Sequence, residues 1–348
     1  MANAWARSIG SLALALMVVA GVCSRSAWAV SKPSFGFVLD GYPIEPARLA
    51  ALRGQTGVAP GMVTFFLQWP QNPTDGRFPM ASVKAISDAG AIACITWEPM
   101  YILDGQEHMI DARDILDGRY DLLLDAFARG ARQYGKLLVL RFAHEMNLER
   151  YHWGGSKEAY GPQSPSLYRE MFRYVVKRFR AAQATNVLFA FCPNAESLPD
   201  PQRDNALWNE VSAYYPGDDV VDLVGMDGYN WGTTQTLARN GWNSSFRDFG
   251  DIFGPVHKTL SALAPGKSLL VFEMSCAAEG GDKAAWIREA LVTAASWDVA
   301  AVNWFEADKE VDWRLGAGIT GDLLKLFQGM IAPGGASLAA TLQRGGRP

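Results

Sequence analysis

Apolar residues along this chain recur in eight short runs closed by polar or turn residues. The segments between the runs place apolar positions near the helical period of 3.6. The runs predict strands at Phe35 to Asp40, Met62 to Trp69, Ala91 to Trp97, Lys136 to His144, Val187 to Cys192, Val221 to Met226, Ser268 to Phe272 and Val299 to Trp304. They are almost continuously apolar, as a parallel strand covered on both faces must be. Between them, Leu122, Leu123, Phe127 and Ala131, then Tyr168, Phe172, Val175, Val176 and Phe179, fall on one helical face with charges opposite, and Asp282 to Trp297 repeats the pattern. Strands alternating with helices through right-handed crossovers give either an open doubly wound sheet or a closed barrel. A dinucleotide-binding open sheet would carry a glycine-rich turn after its first strand, where this chain has Asp40-Gly41-Tyr42-Pro43. The pattern therefore predicts an α/β fold, a (β/α)8 TIM barrel in a single domain.

The two ends depart from this pattern. Residues 1–29 combine Arg7, an apolar run from Leu12 to Val22 and the small-residue site Ala27-Trp28-Ala29, which predicts a cleaved signal peptide and a secreted or periplasmic protein. The apolar run is shorter than the ~20 residues a membrane-spanning helix needs. The barrel domain is expected over 30–332 and a loose C-terminal tail over 333–348. Removing the leader's two arginines takes the net charge from −4 to −6, which disfavours nucleic acid as a partner and suits a neutral ligand. Three cysteines remain, Cys94, Cys192 and Cys276, all within or just after apolar runs, where a small buried hydrophobe is the expected role. A monomer is expected.

In a barrel of this kind the chemistry collects at the C-terminal ends of the strands. Here those ends carry Asp40, Gln68, Trp69, Trp97, Glu98, His144, Glu145, Asn194, Asp227, Tyr229, Glu273, Trp304 and Glu306. Carboxylates for acid, base and nucleophile, amides for hydroxyls and flat rings for sugar faces are the parts of a carbohydrate site. The loops after the fourth and sixth strands add Tyr151, His152, Trp153, Trp231 and Trp242. Exposed aromatics can equally pack loops onto the barrel. Glu145 and Glu273 end strands nearly across the barrel from each other and can meet over its axis. From rim position alone, Glu98, Asp227 and Glu306 compete with them. Arg141 shares the inward parity of Glu145, as a charge partner in the barrel or an ordinary core ion pair.

Three segments carry a resemblance. Arg141-Phe142-Ala143-His144-Glu145-Met146-Asn147 with Trp153-Gly154, then Gly225-Met226-Asp227-Gly228-Tyr229, then Phe272-Glu273, resemble in order and spacing the acid/base, strand-six and nucleophile segments of glycoside hydrolase family 26, which includes many β-mannanases. The resemblance spans roughly residues 35–310. It implies a retaining endo-β-1,4-glycanase with Glu145 as acid/base, Glu273 as nucleophile and Tyr229 as a donor to that nucleophile. It also implies that His144 fixes the acid/base or touches substrate and that Trp304 is the platform under the sugar. Trp153, Asn194, Trp97, Asp227 and Trp231 complete the expected substrate-binding set. β-Mannan is the first expected substrate. However, Thr96-Trp97-Glu98-Pro99 stands where the family's mannanases are expected to carry a histidine, so mixed-linkage β-glucan or a bacterial exopolysaccharide is the alternative.

Other readings fare worse. Leu148, not histidine, lies four residues after His144, so the helical zinc motif is absent, and the expectation is no metal and no cofactor. No Gly-x-Ser-x-Gly elbow marks a serine hydrolase. A non-catalytic polysaccharide-binding barrel would keep the aromatic groove but has no use for a matched acid and nucleophile.

Overall fold

The apolar runs become eight parallel strands that close on themselves. The computed structural model describes residues 32–155, 165–316, 325 and 329–345, and the expected leader at 1–29 lies outside them. In chain order the strands are β1 (Ser34–Leu39), β2 (Met62–Gln68), β3 (Ile92–Glu98), β4 (Met100–Leu103), β5 (Gln106–Met109), β6 (Leu138–Phe142), β7 (Val187–Phe191), β8 (Leu223–Asn230), β9 (Ser268–Cys276) and β10 (Ala301–Glu306). The barrel runs β1-β10-β9-β8-β7-β6-β3-β2, with β2 pairing back to β1. Around it lie α1 (Pro46–Thr56), α2 (Met80–Asp88), α3 (Ala112–Leu116), α4 (Asp121–Tyr134), α5 (Ser166–Ala181), α6 (Val211–Tyr214), α7 (Leu237–Asn240), α8 (Phe249–Leu263) and α9 (Lys283–Ser296). Local chemistry sets their ends. In α1, proline opens the first turn and Gly57, at φ 65°, takes the left-handed cap.

Strands β4 and β5 form a separate antiparallel hairpin that the apolar pattern did not reveal. Its signal is Asp104-Gly105, both at positive φ (51° and 73°), as a two-residue turn of this hand demands. Strands β8 and β9 run past their apolar cores to Asn230 and Cys276, because Asp227 and Glu273 interrupt the apolar character without interrupting the ladder.

The two faces of each strand enter different cores. Phe37, Phe65, Ile95, Trp97, Leu140, Met274 and Trp304 face the helices. Met62, Ile92, Cys94, Val139, Cys192, Leu270, Phe272 and Ala301 fill the barrel interior. Interior space is tight enough to require glycine at Gly225, where a Cβ would sit 2.3 Å from the Phe272 ring. All three described cysteines are buried, as expected, and all three are free.

The C-terminal stretch expected to be a loose tail is instead α10 (Gly334–Gly345). Leu338 and Leu342, one helical turn apart and essentially without solvent exposure, join Met62, Ile92 and Ala301 in the interior core. The helix plugs the barrel end opposite the strand C-termini. Its small residues concealed two apolar anchors that only the open barrel floor could pair with. Residues 346–348 lie outside the described residues.

Candidate active site

Strand β6 stops at Phe142 because the next residues leave the extended region. Ala143 and Glu145 adopt φ 47° and 50°, left-handed values that non-glycine residues rarely take. Each costs roughly 1–2 kcal/mol and persists only where surrounding bonds dictate it. Here the Ala143 amide donates to the Trp97 carbonyl (3.1 Å) and the Glu145 amide to the Cys192 carbonyl (2.8 Å), anchoring the turn to β3 and to the segment just beyond β7. The turn delivers Glu145 to the barrel mouth. Buried Asn147 then ties the next loop in place: its Nδ2 donates to the Asn194 and Glu196 carbonyls (3.0 and 3.2 Å), and its Oδ1 accepts from the Asn194 amide (2.9 Å). Held this way, Asn194 donates Nδ2 to Glu145 Oε1 at 2.6 Å.

Glu273 reaches the interior by a different device. Strand β9 carries a bulge: Met226 pairs with Val271 but Asp227 pairs with Glu273, and the register to β10 shifts at the same place. The extra residue lets Phe272 and Glu273, adjacent in sequence, both point into the barrel. There Glu273 Oε1 accepts from Arg141 and Oε2 from the Tyr229 hydroxyl. Arg141 is fully buried and forked. It also donates to Asp227 Oδ2 at 2.7 Å and, through Nε and Nη2, to Thr96 Oγ1 at 2.9 and 2.6 Å. Phe272 lies beneath it, ring centroid 5.6 Å from the guanidinium carbon.

These environments push the ionisable groups apart. Burial, then the charge of Glu273, raises the Glu145 carboxyl to about 7, against the hydrogen bonds from Asn194 and Tyr151. Burial works against the Arg141 guanidinium, but Asp227 and Glu273 beside it more than offset this and hold it charged. Burial raises Asp227 in spite of Arg141, and raises the Tyr229 hydroxyl, keeping it a proton donor to Glu273. Burial and Arg141 lower His144 well below its ordinary value, so its imidazole is neutral.

Glu98 is a third carboxyl with the character of an acid. It is buried, accepts from Gln68 Nε2 at 2.5 Å, and is raised to about 7, chiefly by burial. A folded-state value above the ordinary 4.5 means that stability is intact below 4.5 and is lost as pH rises through about 7. Glu98→Gln is therefore expected to match wild type at pH ~4.5 and to exceed it above pH ~8 by on the order of 3 kcal/mol. Urea unfolding at the two pH values measures this; equal stability at both would contradict it.

Among the described residues, His144, Asp227 and Glu273 are the one group placed to hold a metal ion, with one ligand atom from each within 4.8 Å of the others. Arg141 already supplies positive charge to both carboxyls, and a cation there would have to compete with it.

The glycosyl hydrolase family 26 model matches residues 100–298, more than half of the chain and all three segments of the site. The chain belongs to glycosyl hydrolase family 26. Endoglucanase H of Acetivibrio thermocellus is 33% identical over 255 residues, which is 72% of this chain and 25% of that protein. A mannan endo-1,4-β-mannosidase of Bifidobacterium adolescentis is 32% identical over 120 residues, 32% of this chain and 11% of that protein. This chain thus spans about a quarter or less of the length of these two relatives. Among solved structures, the catalytic domain of a Bacillus sp. JAMB-750 family 26 endo-β-1,4-mannanase aligns with TM-score 0.62 at 18% identity, covering 90% of each chain. At that identity the likeness is one of fold.

Within this family 26 barrel, not every expected site residue reaches the mouth. Glu145, Glu273, Tyr229, Asp227, His144 and Asn194 do converge. Trp97 and Trp304 do not. Trp97 stacks on Phe127 of α4 (4.2 Å), and Trp304 packs against Trp286 of α9 (6.4 Å), both on the helix side and essentially without solvent exposure. Their strand neighbours Glu98 and Phe305 take the inward positions, since successive side chains alternate faces. Phe305 meets Tyr229 edge-on at 5.7 Å. Trp153 is also fully buried, stacked on Tyr151 (4.7 Å) and donating Nε1 to the His144 carbonyl (2.6 Å), so it buttresses the turn. Trp231 lies half-buried at the rim between Trp242 and Trp313. Trp313, which the sequence did not single out, stands 5.1 Å from Tyr229, and its carbonyl accepts from the Trp304 indole at 2.8 Å. Trp304 thus fixes the loop behind Tyr229. Asn147 and Tyr151 were legible only as members of conspicuous segments, not as supports of Glu145.

Proposed function

We propose that this chain is a secreted, retaining endo-β-1,4-glycanase with Glu145 as acid/base and Glu273 as nucleophile. The observation that carries this reading is the contrast between the two carboxyl groups. Glu145 is raised to about 7, able to hold a proton at working pH. Glu273 has both oxygens engaged by donors on Arg141 and Tyr229, which fix its orientation. In the first step Glu145 gives its proton to the glycosidic oxygen while Glu273 attacks the anomeric carbon, breaking the glycosidic bond and forming a glycosyl ester. Glu145, now a carboxylate, then takes a proton from water as that water attacks the same carbon and releases Glu273. A neutral polysaccharide suits a mouth this rich in carboxyls. Secretion is supported by the signal-peptide pattern of residues 1–29.

β-Mannan is the first substrate, supported by the mannosidase relatives. A β-glucan is the second reading, favoured by the endoglucanase relative, whose match covers much more of this chain than theirs do. Reducing-end release from galactomannan, mixed-linkage β-glucan, xylan and cellulose by the purified protein tests the reading. Release from one of the first two is expected, and none from any would leave a bacterial exopolysaccharide as substrate or a binding-only barrel, which binding by Glu273→Ala would then separate. The alkaline limb of kcat/KM should fall near pH 7, where Glu145 loses its proton. Asn194→Ala removes a hydrogen bond that lowers Glu145, so its alkaline limb is expected to move upward. A limb that stays in place would separate Asn194 from the acid.

A further inference from the structure

The β4–β5 hairpin follows β3 and stands outside the barrel ladder, yet it is built rigidly. Met100 and Ile110 at its two feet are buried in the helix-side core. Above them the cross-strand pair Tyr101 and His108 stacks its rings at 4.9 Å, 7° from parallel. The next pair outward sets Glu107 opposite Ile102. Glu107 meets the loop after β6, where the Arg150 guanidinium takes it in a fork: Nη1 donates to Oε2 at 2.7 Å and Nη2 to Oε1 at 2.6 Å. His152 Nε2 stands 3.8 Å from the same carboxylate, and the charge of Lys309, from the loop after β10, also acts on it.

Arg150 joins this fork to the acid. Its guanidinium carbon lies 5.2 Å from the centre of the Tyr151 ring. Trp153 and His144 brace the same ring, each at 4.7 Å, and the Tyr151 hydroxyl donates to the Glu145 carboxyl. A continuous line of contact thus runs from Glu107 through Arg150 and Tyr151 to Glu145, linking the connection after β3 to the proton donor just beyond β6. The Arg150 and Glu107 side chains are 55% and 32% exposed, so their pair adds little stability, but two parallel bonds from a planar fork fix a direction. Direction is what a general acid needs, since it must meet the leaving oxygen within hydrogen-bond reach. From this placement, and resting on the glycanase reading above, we infer that Glu107 and Arg150 are positioning residues for the acid/base: the hairpin clamps Arg150 against Tyr151, and Tyr151 holds the Glu145 carboxyl toward the departing glycosidic oxygen.

The chemistry gives this role a signature. Glu145 delivers its proton as the glycosidic bond breaks, so misplacing it slows the departure of a poor leaving group and spares one that departs as a stable anion. A binding or purely structural role slows both alike.

The test compares wild type, Glu107→Ala, Arg150→Met, the double variant, Arg150→Lys and Tyr151→Phe on phenyl and 2,4-dinitrophenyl β-glycosides of mannotriose and cellotriose. The readout is the ratio of kcat/KM for phenyl to that for dinitrophenyl, with thermal unfolding of each variant alongside. Asp219→Asn, which breaks an equally forked pair with Arg173 of α5 (2.7 Å for both bonds), serves as the control and should leave the ratio unchanged. Glu107→Ala and Arg150→Met are each expected to lower the ratio about 3- to 5-fold, and the double variant to lower it no further, as for a pair that acts as one unit. Arg150→Lys should recover most of the loss, and Tyr151→Phe should lower the ratio by ~10-fold or more. A ratio within about 1.5-fold of wild type in both Glu107→Ala and Arg150→Met, or a loss shared equally by the two leaving groups, would overturn the inference. The glycanase reading would then stand on the wild-type rates of the same assay. Wild type inert toward both series would overturn that reading, and the inference with it.

Discussion

Replacing Glu273 with alanine is expected to lower kcat by roughly 10^4- to 10^6-fold, because the covalent route then has no nucleophile and what is left is acid assistance and binding. The fold should survive the change, since Arg141 keeps Asp227 as an ion-pair partner at 2.7 Å. The vacated space, still facing the Arg141 guanidinium and the Tyr229 hydroxyl, suits a small anion. Azide added to Glu273→Ala with a substrate bearing a good leaving group is expected to restore turnover and to yield a glycosyl azide of inverted configuration. Restoration with retained configuration, or an unchanged kcat in the variant, would remove Glu273 from the nucleophile's place. The same treatment of Glu145→Ala should give the opposite product configuration, because there the covalent intermediate still forms.

The second large effect concerns stability. Arg141→Met leaves the buried Asp227 and Glu273 carboxyls without their shared cation and leaves Thr96 without its donors, at an expected cost of about 3–5 kcal/mol. The cost depends on pH in a defined direction. Burial already raises Asp227, and without the guanidinium it rises further, so the variant should lose less at pH ~5, where carboxyls can be protonated, than at pH ~8. Asp227→Asn added to Arg141→Met removes one of the stranded charges, and the pair is expected to be more stable than the two single losses added together. Guanidinium unfolding of the four proteins at both pH values measures this. Simple additivity would mean that Arg141 and Asp227 do not act as a unit.

How much of this was legible in the sequence follows from what each signal encodes. Apolar runs and helical periodicity fixed the barrel because both faces of its strands are buried, a fact the runs state directly. That same double burial hid which face looks inward. Trp97 and Trp304 stood at strand ends beside Glu98 and Phe305, and nothing in a continuous apolar run says which of two neighbours turns to the helices. Glu145 and Glu273 were visible as rim carboxylates, but the devices that aim them were not. A left-handed Ala143 and a bulge at Phe272 and Glu273 are backbone features, and period-two counting breaks at an inserted residue. Arg141 was readable as inward-facing; its two carboxyl partners, far apart in sequence, were not.

The plug formed by α10 bears on how the molecule comes into being. The first barrel strand finds its neighbour β10 only near the end of the chain, and the floor is sealed by residues made later still. A polypeptide emerging in order from its N-terminus can assemble the middle of the sheet early, yet the open edge of β1 and the apolar floor around Met62 and Ile92 stay uncovered until β10 and α10 have been made. Sealing waits on elements far apart in sequence, β1 against β10 and the barrel floor against α10. That arrangement keeps the newborn barrel unsealed until both late elements have emerged.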